Sequence, residues 1–130
     1  MRAIAGSHRW PIIFAIMAVG FPIVAEAQTA EYKLAVVDAR RDPPPPASVS
    51  AIKRDLDYLE PRCTGERGRE HLTDMALGVV RLLRENDGMV RTGQFVLDWT
   101  AKLRREPAMQ AGGTCAELFT LAYYGIQTAG

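Results

Sequence analysis

The chain has 130 residues, of which 48% are hydrophobic and 24% are charged, and its net charge at pH 7 is +1. This balance is typical of a globular protein and excludes a disordered or collagen-like chain. Once the N-terminal segment described next is set aside, the remaining length suffices for one small domain and not for two.

The first 27 residues have the three parts of a secretory signal peptide. Basic residues open the segment, the run Trp10–Ala25 carries no charged side chain, and Ala25-Glu26-Ala27 is a small-x-small cleavage pattern. A membrane anchor is the alternative, but the run is shorter than the about 20 apolar residues of a spanning helix and contains two prolines. We therefore predict cleavage after Ala27, export to the periplasm or the extracellular space, and no stable membrane insertion of the mature chain.

The predicted mature chain, residues 28–130, has equal numbers of basic and acidic side chains. Proteins that bind phosphate backbones need clustered positive charge, so a neutral chain predicts no nucleic-acid partner. The basic pairs Arg40-Arg41 and Arg104-Arg105 have acidic neighbours in the sequence, and we interpret them as solvated charges.

The only two cysteines, Cys63 and Cys115, both lie in the predicted mature chain. Oxidising compartments form and preserve disulfides, and two cysteines allow a single internal pairing. Closing a loop of about 53 residues would stabilise the fold by up to about 4 kcal/mol. A metal or redox site is the alternative, but the sequence has neither a C-x-x-C motif nor a second pair of ligands. We predict a structural disulfide between Cys63 and Cys115.

Residues 28–47 are predicted to be a lead-in and a proline-rich spacer. Gln28–Arg41 has enough apolar residues for a short helix or a strand, and the sequence does not decide between them. Asp42 is followed by four prolines, which fix φ and remove four hydrogen-bond donors, so this stretch predicts an extended polyproline II conformation. A stiff spacer is the favoured interpretation, and a ligand for an aromatic groove is the alternative.

Residues 48–130 are predicted to form a helical domain. Ser48 or Ser50 can cap a first helix, because the apolar residues that follow recur with helical period. Glu66–Glu85 is the longest amphipathic segment, and an Asn-Asp-Gly turn ends it.

Two further helices follow. Thr92 can cap the segment Gly93–Arg105, and Thr114–Glu117 is a T-x-x-E capping box before the apolar run Leu118–Ile126. The sequence therefore predicts an all-α bundle of four to five helices pinned by one disulfide. The predicted core consists of apolar residues that share the inner faces of these helices: Leu72, Met75, Val79, Leu82, Phe95, Trp99, Leu118 and Phe119.

Few residues of the mature chain suit catalysis or metal binding. It has one histidine and only two serines, and both serines lie at predicted helix starts, so a Ser-His-Asp relay is not indicated. Glu70, His71 and Asp74 share an edge of the longest helix and could hold a divalent metal, but no second histidine supports this. We interpret them as a solvated helix face, and we predict no catalytic, cofactor-binding or metal-binding residue and no cofactor.

The segment Leu83–Phe95 resembles a calcium-binding helix-loop-helix at its Asp87-Gly88 turn. A calcium loop begins with an aspartate and ends with a bidentate glutamate, and Leu83 and Gln94 occupy those two positions here. We therefore predict a helix, a glycine turn and the next helix, without calcium.

The stretch Thr114–Phe119, TCAELF, resembles the T-C-x-[ED]-F stretch of small periplasmic acid-stress chaperones of the Hde type. Members of that family are exported, helical and held by one disulfide. Their stretch contains the first cysteine, whereas here it contains the second. The resemblance implies a class of small exported binding proteins.

Two functions are consistent with this sequence. The first is a non-enzymatic exported protein that binds another protein, as an adaptor, inhibitor, immunity factor or chaperone does, or that has a structural role. The alternative is a small exported hydrolase that uses two carboxylates. A deep pocket with two converging carboxylates would favour the hydrolase, and an exposed apolar patch on the helix surfaces would favour the binding protein.

Overall fold

The computed structural model describes residues 29–129, and this part of the chain is all-helical and has no strand. The predicted fold class, a small helical bundle, is confirmed. The predicted signal peptide lies outside the described residues. Five α-helices and one 3-10 turn follow in order: α1 Ala30–Ala39, α2 Pro46–Leu59, α3 Arg69–Asn86, α4 Gly93–Arg105, the 3-10 turn Pro107–Met109, and α5 Cys115–Ala129.

Helix α1 settles the choice between helix and strand that the sequence left open. The Thr29 side chain accepts a hydrogen bond from the Tyr32 backbone N–H at 3.3 Å and so caps the helix. Arg40, with φ of 55°, adopts the left-handed conformation that ends it. Leu34 and Ala35 are buried in the same core as the other helices, so the packed helices begin at α1 and not at residue 48.

Helix α2 begins two residues before the earlier of the two predicted caps. Pro46 is its first residue and Pro45 its N-cap, and neither Ser48 nor Ser50 is a cap. A proline suits the first turn because its φ is already helical and the N–H it lacks has no acceptor there. The stretch between α1 and α2 is therefore confined to residues 40–45.

The predicted caps of α4 and α5 are confirmed. Thr92 accepts a hydrogen bond from the Phe95 backbone N–H at 3.1 Å. In the capping box, the Glu117 N–H donates to Thr114 Oγ1 at 3.0 Å, and the Thr114 N–H donates to Glu117 Oε1 at 3.3 Å. These bonds satisfy backbone donors that a helix start otherwise leaves unpaired.

One hydrophobic core joins all five helices, and α4 contacts each of the other four. Of the predicted core, four residues are buried (Leu72, Val79, Leu118 and Phe119) and three are half-buried (Met75, Phe95 and Trp99). The prediction for Leu82 is wrong, because its side chain is 42% exposed. Its neighbour Leu83 is buried instead, since successive residues of a helix point about 100° apart.

The predicted disulfide is confirmed. Cys63 and Cys115 are bonded, with their Cα atoms 5.0 Å apart, and the bond joins the loop after α2 to the first residue of α5. Two backbone hydrogen bonds run beside it, from the Thr64 N–H to the Gly113 carbonyl at 3.0 Å and from the Cys115 N–H to the Thr64 carbonyl at 3.1 Å.

None of the described helices is both long enough and apolar enough to cross a membrane.

Candidate functional site

A groove of about 440 Å³ runs between α3 and α5 on the surface of the bundle. On α3, Met75, Val79 and Leu82 line it at helical spacing of four and three residues. Gly78 opens the groove, because a Cβ built on it would meet no atom within 4 Å. The wall from α5 consists of Ala116, Phe119, Thr120, Tyr123 and Tyr124.

The α5 side of this surface is uncharged and partly apolar. Glu117 is the only charged residue in α5, and the capping box holds it at the start of the helix. Tyr124, in the groove wall, is 58% exposed. Leu121 is 45% exposed and lines a separate small pocket beside Met109. Surface helices of globular proteins ordinarily carry charged side chains on the outer face. The α5 wall of the groove lacks such side chains.

Arg81 is the only charged side chain among the residues that line the groove. It is exposed and forms no ion pair with any acidic side chain in the part of the chain that the structure describes. A ligand in the groove would therefore find one free positive charge at its edge.

Asp87 fixes the far end of α5 against the turn after α3. The Tyr123 hydroxyl donates to Asp87 Oδ2 at 2.7 Å, and the Gln127 side-chain amide donates to Asp87 Oδ1 at 2.7 Å. The bond to the carboxylate raises the pKa of Tyr123 because it favours the protonated phenol. These bonds hold the far end of α5 to the end of α3, and the disulfide holds the start of α5 to the loop that precedes α3.

Two carboxyl groups converge elsewhere, between α2 and α4. The Asp55 side chain is only 2% exposed, and Arg54 Nε lies 3.6 Å from its Oδ1. Burial, followed by a hydrogen bond with the Asp98 carboxyl, raises the pKa of Asp55 from 3.8 to about 7. Asp55 Oδ2 receives no donor within residues 29–129, and a proton on it would let the acid donate to Asp98.

Asp55 and Asp98 supply the two carboxyl groups that the predicted hydrolase needs, but a substrate cannot reach Asp55. A general acid must reach the bond that it protonates, and Asp55 is closed off from solvent between two helices. Asp98 is accessible and forms an ion pair with Arg54, with Arg54 Nη2 3.3 Å from Asp98 Oδ1. The geometry is that of a buried carboxyl group beside a surface ion pair.

The residues considered as metal ligands do not converge. Glu70 lies 3.6 Å from Lys33 and His71 lies 3.4 Å from Glu66, so each has a different neighbour. Across residues 29–129, no group of three or more histidine, cysteine, aspartate or glutamate side chains could hold a metal ion.

The interpretation of Arg104 as a solvated charge is wrong. Its side chain is buried, and it donates to the backbone carbonyls of Arg62, Met109 and Gly112, the last at 2.6 Å. The cause is its place on the helix, since Arg104 continues the buried stripe of Leu97 and Ala101. Arg105, one position further round the helix, is exposed as predicted, and so are Arg40 and Arg41.

Comparison of this chain with protein-family models, with curated proteins and with solved structures finds no match.

Proposed function

We propose that this protein is a small exported, non-enzymatic binding protein that holds an amphipathic helix of a partner protein in the groove between α3 and α5. An adaptor, inhibitor, immunity factor or chaperone would use such a surface. The observation that carries the proposal is the uncharged α5 wall of an open, mostly apolar groove, in which Tyr124 is exposed.

The shape of the groove favours a helix as the occupant. Each wall presents apolar side chains over about two helical turns, with gaps of three and four residues along α3 and α5. A third helix that packs into the groove would present its own i, i+3, i+4 and i+7 residues to both walls. Arg81 at the edge favours an acidic residue beside the apolar stripe of the partner.

The signal-peptide pattern of residues 1–27 and the disulfide both support export. The disulfide between Cys63 and Cys115 is of the kind that persists in oxidising compartments. Thr29 caps α1, so cleavage after Ala27 would leave the folded bundle with its first cap intact. N-terminal sequencing of the exported protein should begin at or near Gln28, and a cytosolic protein that retains Met1 would contradict export.

Site-specific photo-cross-linking tests the proposed binding surface. A benzoylphenylalanine replaces Tyr124 in the groove or, as the control, exposed Lys53 on α2, and the cells are irradiated before the exported proteins are recovered. We expect position 124 to form an adduct whose cross-linked peptide has apolar residues at helical spacing and an acidic residue beside them. Arg81→Glu should remove this adduct by repelling the acid.

Two outcomes would contradict the proposal. One is the same set of adducts from positions 124 and 53, which indicates non-specific contact. The other is an adduct at position 124 whose peptide lacks a helical apolar stripe, or one that Arg81→Glu leaves unchanged.

A carboxylate-dependent hydrolase remains the second candidate, favoured by the pKa of Asp55, which suits a general acid at neutral pH. It ranks below the binding protein because Asp55 is buried. Its test is hydrolysis of a panel of polysaccharides near pH 6. An activity that Asp55→Asn and Asp98→Asn each abolish, with the fold intact, would favour this candidate.

A further inference from the structure

Tyr58 on α2 lies close to two arginine side chains. The guanidinium carbon of Arg62 is 4.1 Å from the centre of its ring, and that of Arg105 is 4.3 Å from it. Both guanidinium groups are therefore within cation–π distance of the same ring. The ring therefore holds two positive charges in place through cation–π contacts, with its hydroxyl as a further donor.

A polar depression of about 500 Å³ opens beside this stack. Tyr58, Arg62, Arg104 and Gln110 line it, and no acidic side chain does. The Gln110 side-chain amide donates to the Arg105 carbonyl at 3.0 Å, which fixes the rim of the depression to the end of α4.

The three arginines of this region are not neutralised by ion pairs. None of Arg62, Arg104 and Arg105 contacts an acidic side chain within 4.0 Å in residues 29–129. Arg104 is 3% exposed and has only backbone carbonyls as acceptors, which take up its donors without cancelling its charge. A buried charge without a counter-charge is costly, so this region favours an anion.

The negative ends of the helix dipoles offset only part of this positive charge. Arg62 donates to the Tyr58 carbonyl at the end of α2, and Arg104 occupies the last turn of α4, so both offset the negative ends of helix dipoles. Arg105 stacks on Tyr58 instead.

We infer that this depression binds a tetrahedral oxyanion of the phosphate class. Arg62 binds its oxygens through charge-assisted hydrogen bonds, and the Tyr58 hydroxyl donates a further bond. Arg105, stacked on the same ring, and buried Arg104 add positive potential without touching the anion. The site lies at the ends of α2 and α4 and is independent of the groove between α3 and α5.

A titration with inorganic phosphate tests the site. The mature, disulfide-bonded protein is titrated at neutral pH and constant ionic strength, with phosphate replacing chloride, and amide shifts are followed by NMR. We expect saturable shifts around Tyr58, Arg62 and Gln110. The double variant Arg62→Gln/Arg105→Gln should bind about tenfold more weakly or worse, the loss expected when charge-assisted contacts are removed, while the control Arg41→Gln, at an exposed arginine outside both sites, binds as the wild type does.

A second arm identifies the source of the phosphate. Vesicles of phosphatidylcholine, with and without phosphatidic acid, are incubated with the same proteins. Saturable binding of inorganic phosphate assigns a free phosphate, and binding only to vesicles with phosphatidic acid assigns a lipid phosphate, provided that the double variant loses it. The inference is overturned if the wild type and the double variant respond equally, or if neither probe binds saturably.

Discussion

Asp55 keeps its proton in the folded protein up to about neutral pH because α2 and α4 bury it beside a second carboxyl. A protonated acid can donate to Asp98, whereas an ionised one would lie buried against another negative charge. Helical spacing alone places Asp55 on the same buried face as Ile52 and Leu59. Spacing does not indicate that Asp98 lies beside it, because Asp98 belongs to a helix far along the chain.

The pH dependence of stability follows from this raised pKa. The unfolded chain releases the proton near pH 3.8 and the folded protein near pH 7, so this contribution is complete below pH 3.8 and is lost as the pH rises through about 7. For the wild type, the free energy of unfolding should fall by about 2–4 kcal/mol from this cause as the pH rises. In Asp55→Asn this fall should be absent. Urea unfolding of both proteins between pH 4 and pH 8 measures it, and parallel pH profiles would contradict the assignment.

Arg104 is another charged side chain in the interior, and it organises the loops around the disulfide. Arg104→Gln should lower the free energy of unfolding by about 2–4 kcal/mol, because it removes a buried guanidinium that donates to three backbone carbonyls. Arg104→Lys should recover only part of this loss, since an ammonium cannot reach carbonyls on three sides. The control is Arg81→Gln at the surface, and equal midpoints for Arg104→Gln and this control in urea would contradict the role.

At the scale of the elements, α1 is attached to the start of α4. Both oxygens of Asp38 accept hydrogen bonds there, from the Gly93 N–H at 3.1 Å and from the Gln94 N–H at 2.8 Å. Gly93 permits the close approach, because a Cβ on it would lie 2.7 Å from a methyl carbon of buried Leu34. This contact makes the predicted lead-in part of the packed bundle.

Loss of the Asp38 contact should destabilise the protein while leaving its helices in place. Asp38→Ala removes two hydrogen bonds at a helix N-terminus and should cost about 1–2 kcal/mol. Asp74→Ala on the exposed side of α3 is the matched control and should cost little. Chemical denaturation compares them, and an Asp38→Ala midpoint no lower than that of Asp74→Ala would contradict the attachment.

The sequence predicted helices and caps well because both depend on neighbouring residues. Thr92 and Thr114 are confirmed as caps, and the disulfide followed from there being only two cysteines. Which leucine faces inward was harder, since Leu82 and Leu83 both border the apolar stripe and only the packing of the whole bundle decides between them. The Arg62, Tyr58 and Arg105 stack joins two helices and could not be predicted from spacing.

At the scale of the whole molecule, the disulfide joins the loop between α2 and α3 to the start of α5. Replacing Cys63 and Cys115 together by serine should lower the free energy of unfolding by about 2–5 kcal/mol. The measurement is urea unfolding, and wild-type protein with reductant should match the double variant. Unchanged midpoints in both would show that the bridge does not stabilise this fold.

The central claim is that the groove between α3 and α5 binds a helix, and Gly78→Leu tests it most directly. The new side chain enters open space, and replacing a glycine inside a helix should stabilise α3 by up to about 1 kcal/mol. The measurement is the yield of the adduct from benzoylphenylalanine at position 124, with and without Gly78→Leu. The account predicts a protein at least as stable that has lost the adduct, and an undiminished adduct would contradict it.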